Sequence, residues 1–114
     1  MASAVGTPEH KRLASWAADC AEQVLNLFEQ TCLDDYRPRQ AIAAARAWVR
    51  DELAVPEARR YAFAAHAAAR ESENPAAIAA ARAAGHAAAT AHVATHAPHA
   101  EAYACKAKAA VLKS

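Results

Sequence analysis

Six histidines are the residues best equipped for chemistry in this 114-residue chain: His10, His66, His86, His92, His96 and His99. His92 and His96 stand four apart, a spacing that puts two imidazoles on one helix face and suits a transition metal. His66 or His99 could supply a further ligand, which makes His66, His92 and His96 the candidate metal set. The patterns that usually accompany such sites are missing. The chain has no Glu-x-x-His pair of the di-iron bundles and no His-Glu-x-x-His. Serine is scarce (Ser3, Ser15, Ser72, Ser114), and none sits in a nucleophile elbow. Cys20, Cys32 and Cys105 are an odd number at unrelated spacings, neither a disulfide framework nor a zinc pattern. They read as small buried thiols in a reducing compartment. Only Gly6 and Gly85 are present, so no phosphate-cradling loop exists. The residues imply no cofactor and no catalytic constellation.

Two further groups of polar residues ask for an explanation. On a helix, at about 100° per residue, Arg82, His86, His92 and His96 fall within roughly 120° of one face. A buried polar seam of this kind needs partners. Residues 1–36 carry two basic and six acidic side chains, net −4, so the seam is expected to face an acidic first helix. The second group is the connection Asp34-Asp35-Tyr36-Arg37-Pro38-Arg39. Asp34 and Asp35 lie where they can complement a helix dipole, with Arg37 and Arg39 pairing back to them. Tyrosine and arginine are also favoured at interfaces. Asp34, Asp35, Tyr36, Arg37 and Arg39 are therefore the candidate partner-binding residues. Arg37, Arg39, Arg46, Arg50, Arg59, Arg60 and Arg70 could suggest nucleic-acid binding, but Asp51, Glu52 and Glu57 interrupt them and the sequence pI is about 7.8. That is not a nucleic-acid footprint.

The elements that must carry these groups are legible from alanine and proline. Alanine, the strongest helix former, fills 38 positions, whereas only 22 residues are large and apolar. The core must be thin, with backbones close together. Each of the five prolines stands where the first turn of a helix would begin. Thr7-Pro8-Glu9 opens a first helix whose apolar stripe runs from Leu13 through Trp16, Cys20, Val24 and Phe28 to Thr31. Pro38 opens a second through Ile42, Ala45, Val49 and Leu53. Pro56 opens a third to about Glu71, Asn74-Pro75 a fourth to about Ala97, and Pro98 a fifth through Val111. No segment alternates like a strand. The fold class is all-α: a bundle of about five Ala-rich, mostly antiparallel helices. Residues 1–7 read as a tail and residues 8–112 as a single domain.

Ala41-Ile42-Ala43-Ala44-Ala45-Arg46-Ala47 recurs as Ala77-Ile78-Ala79-Ala80-Ala81-Arg82-Ala83. Two repeated helical hairpins, covered by the N-terminal helix, would fit. The fourth helix is apolar nearly all round and reads as a central post, with Gly85 allowing close approach of a neighbour. A membrane span is a poor reading of it, because Arg82 at a helix centre would cost about 2.5–3.5 kcal/mol. The first residues lack the charged start and apolar run of a secretory signal, so a cytoplasmic location is expected.

Several stretches resemble one known group: Asp35-Tyr36-Arg37-Pro38-Arg39, Ala41–Trp48, Ala64-Ala65-His66-Ala67-Ala68-Ala69-Arg70, Ala84-Gly85-His86 through Thr90-Ala91-His92, and Ala102–Ala107. Together they are similar to a bacterial family of immunity proteins, the immunity-protein-five-like type proposed to neutralise polymorphic toxins, some members of which carry an exonuclease-subunit label. Asp35, Arg37, Arg39, Arg46, His66, Arg82, Gly85, His86 and His92 match its motif positions. The resemblance implies a compact helical domain without an established active site. The expectation is a non-catalytic module that binds a protein partner, such as a toxin, with no nucleic acid, membrane or cofactor involved. The alternative is a bundle with a His-based metal or small-ligand site. An oligomer-forming scaffold becomes the reading if Trp48, Tyr61 or Phe63 cluster on the outside.

Overall fold

Helix α1, Pro8–Glu22, starts where Thr7 accepts a hydrogen bond from the His10 backbone N–H at 3.1 Å, with Pro8 and Glu9 in the first turn. A computed structural model describes residues 6–113. The expected tail therefore lies largely outside the described residues. α2 (Leu25–Glu29), α3 (Arg37–Val49), α4 (Val55–Arg70) and α5 (Pro75–Ala89) follow, then a 3-10 turn at Ala94–His96 and α6 (Ala97–Lys113). All five prolines occupy the first or second position of a helix. No strand occurs among the described residues, and the fold is all-α as expected.

Three boundaries differ from the sequence reading. The first helix breaks at Gln23–Val24 into α1 and α2. The apolar stripe nonetheless continues across the break: Ala14, Ala17, Ala18, Ala21, Val24, Leu25 and Phe28 are all buried. Trp16, expected in that stripe, is 37% exposed. The second helix ends at Val49 rather than reaching Leu53. Asp51 adopts φ 62°, its N–H bonds the Trp48 carbonyl at 3.0 Å, and the Glu52 N–H reaches the Ala47 carbonyl at 2.8 Å. This is a Schellman stop with aspartate at the left-handed position that glycine usually fills.

The third difference matters most for the candidate site. α5 ends at Ala89, not near Ala97. The Thr90 carbonyl, which a continuing helix would give to the Ala94 N–H, is taken instead by the Nε2–H of His10 from α1. The Thr90 hydroxyl bonds back to the His86 carbonyl at 2.9 Å, which further satisfies the last turn. The chain leaves through i−3 bonds at Ala91 and His92 and is extended at Val93 (φ −140°, ψ 120°).

α5 is packed against every other α-helix and is buried on most sides. Almost all of the core is alanine, with Phe28, Val24 and Ile42 among its few large members. α3 with α4, and α5 with α6, pack as successive helical pairs, and α1 lies across α3, α5 and α6. A second small cluster joins Ala14, Trp48, Ala58 and Ala91. Trp48 is thus buried, its ring 4.7 Å from His10, whereas Tyr61 and Phe63 are exposed. No described helix is long and apolar enough to cross a membrane.

Candidate functional site

The connection before α3 is a clamped loop. Asp35 accepts from the Arg37 backbone N–H at 3.1 Å and from the Arg37 side chain at 2.9 and 2.7 Å. The same guanidinium reaches across to Glu71, just past α4, at 2.7 and 3.3 Å. The charge-assisted bonds from Arg37 hold the carboxyls of both Asp35 and Glu71 below their usual range. Arg39 does not pair back to Asp34 or Asp35. It forms a two-pronged pair with Glu29 of α2, at 2.8 and 2.6 Å. The start of α3 is therefore tied both to the end of α2, across the loop, and to the residue that caps α4. Between the ties Leu33 is 74% and Tyr36 54% exposed, beside the exposed Asp34. Four of the five candidate binding residues thus form or flank the clamp, and Tyr36 stands out from it. Leu33 was not among the sequence candidates. Its exposure follows from the tight turn at residues 30–34, which no periodic pattern announces.

The second place of interest is a set of rings where α4, α5, the 3-10 turn and α6 meet. His86 on α5 is the hub. Its ring lies 5.0 Å from His66, 5.2 Å from His96, 5.1 Å from His99 and 5.3 Å from Tyr103, the last nearly parallel. The Nδ1 atoms of His86 and His96 are 3.0 Å apart, so one donates and the other accepts. Arg82 donates to Nδ1 of His66 at 2.9 Å, which requires that imidazole to be neutral, with its hydrogen on Nε2. Burial, then the Arg82 charge, pushes the His66 pKa down to about 4. Burial, then the neighbouring imidazoles, does the same for His86, also to about 4, and burial lowers His96. His66 sits directly over Gly85: a Cβ there would lie 2.6 Å from its Nε2. The glycine expected to permit close approach does so beneath this ring.

The expected seam is therefore only partly assembled. Arg82, His86 and His96 come together, but His92 is exposed beyond the end of α5, in no ring contact with the others. Because the helix stops at Ala89, His92 and His96 no longer share a helical face. The seam does not face α1 either. Asp19 and Glu22 of α1 pair with Arg46 of α3, whereas Arg82 turns to α4. His66, His92 and His96 do line one shallow groove, with Arg59 and Phe63. Among the described residues no group of three His, Cys, Asp or Glu is placed to hold a metal ion. The thiols are free: Cys20 is buried, and that burial raises its pKa, but Cys105 is at the surface, contrary to expectation.

Sequence reasoning gave no site role to His10 or Tyr103 and named His99 only as a possible further ligand. His99 and Tyr103 are four apart on α6, a spacing that could have placed both on one face. Nothing local marks His10, whose partner is 80 residues away.

The fold and its two polar features describe a small helical protein with a clamped, exposed loop and a ring cluster at its last helical joint. The chain belongs to the family described as "Imm-5 like putative immunity protein", whose profile matches residues 3–113. No curated protein and no solved structure matches the chain.

Proposed function

We propose that this chain is a cytoplasmic, non-catalytic immunity protein that neutralises a bacterial toxin by binding it directly. Family membership supports the immunity role. The observation that carries direct binding is the loop before α3. Leu33 and Tyr36 stand out from a turn whose Arg37 and Arg39 are each locked to carboxylates on neighbouring elements. An exposed apolar–aromatic pair on a rigid support binds with little ordering cost. Asp34 adds a charge at its rim.

The test is co-expression with candidate toxin domains, taken first from the neighbouring reading frames. The expected result is restored growth and a stable complex of the two proteins. Growth restored without any complex would exclude direct binding, and unrelieved toxicity would exclude the immunity role.

A further inference from the structure

We propose that the groove between α4 and the turn after α5 docks an acidic segment of a partner protein. This rests on reading the chain as a protein-binding module and adds a second face, with its own chemistry, to the loop before α3.

The arginines fall into two sets. Arg37, Arg39, Arg46 and Arg50 each hydrogen-bond a carboxylate, and Arg60 lies 4.0 Å from Glu57. Among the described residues, Arg12, Arg59, Arg70 and Arg82 pair with no carboxylate; Arg59 lines the groove, and Arg82 bonds His66, which also lines it. Arg59 forms one wall, its guanidinium 5.7 Å from the Phe63 ring centre. Arg82 is spent on the neutral His66 at the floor. Arg70 lies close enough to act on His66 as a positive charge. No carboxylate lines the groove: its walls are Arg59, Phe63, His66, His92 and His96, with alanines between.

An unneutralised cation in the wall of a concave surface, with the Arg82 charge behind His66, attracts a complementary negative group. Phe63, 62% exposed and flanked by Arg59, adds an aromatic anchor beside that charge. The flanks set the kind of ligand. The cationic run on α4 is bounded by Glu57 near one end and Glu71 at the other. A long phosphate backbone would meet both carboxylates. A short segment with one or two carboxylates next to an apolar side chain fits between them.

Backbone amide spectra of the isotope-labelled chain, titrated with a synthetic peptide of alternating glutamate and leucine, test this. Two controls are the same peptide with glutamine for glutamate and a single-stranded oligonucleotide of equal charge. The expected result is saturable shifts at Phe63, His66, His92 and His96 with the acidic peptide only, with Kd raised at least fivefold in both Arg59→Gln and Phe63→Ala. Both sites are exposed, and either variant alone suffices if the other fails to fold. The proposal is overturned by no shifts, by equal shifts with the glutamine peptide, by wild-type affinity in the variants, or by stronger groove binding of the oligonucleotide. Toxin protection without peptide binding would remove this site and leave the immunity reading intact. Peptide binding without protection would do the reverse.

Discussion

Gly85 and His66 make one contact that decides how closely α4 approaches α5. Any side chain at 85 collides with the imidazole, whose far edge is held by Arg82. Gly85→Ala should therefore destabilise by about 1–3 kcal/mol, although alanine is otherwise the better helix residue. Chemical denaturation measures this, and an unchanged or raised midpoint would refute the close contact. The ring cluster also predicts a pH response. His66 and His86 titrate at about 4 in the folded chain and near 6.5 when unfolded. Between those values the unfolded chain binds more protons, so stability is complete above about 6.5 and falls as pH drops toward 4. Tm should fall between pH 7 and pH 4.5, and less steeply in His86→Gln. A flat profile over that window would mean the imidazoles are solvated.

At the scale of elements, two stops carry separable predictions. Asp51 occupies the left-handed position after α3 while pairing with Lys11 at 2.7 Å. Asp51→Gly and Asp51→Ala both lose that exposed pair, yet only alanine keeps the backbone penalty. Glycine should be the more stable of the two by about 1 kcal/mol. Equal stabilities would show that the turn relaxes. Asn74 caps α5 by accepting from the Ala77 N–H at 2.9 Å, and Asn74→Ala should cost about 1 kcal/mol in a thermal melt.

These elements also show what the sequence can and cannot reveal. Helix starts were legible because proline and the caps Thr7 and Asn74 act locally. Helix ends were not. α5 stops because His10, 80 residues away, takes the Thr90 carbonyl. Leu53 fell outside α3 because a non-glycine residue accepts a left-handed φ. The error at α5 then propagated to the site, since the pairing of His92 with His96 presupposed an unbroken helix. The loop before α3 was easier to read, because dense alternating charge is a local signal. The exchange of Arg39 from Asp35 to Glu29 was invisible, as it depends on where α2 ends.

Across the whole molecule, side chains reduced to a methyl let helices approach closely around α5, a packing that takes in a few large residues such as Phe28 and Trp48 and leaves others at the surface. Tyr36, Leu33 and Phe63 are exposed for want of core to receive them, which makes the exterior the place where this chain can act. Calorimetric titration of the chain with the purified toxin domain from which it protects in co-expression tests that claim most directly, run for wild type and for Leu33→Ala with Tyr36→Ala. One-to-one binding of the wild type, weakened at least tenfold in the double variant with its melting curve unchanged, is the predicted result. Absence of binding, or an affinity indifferent to both substitutions, would contradict it.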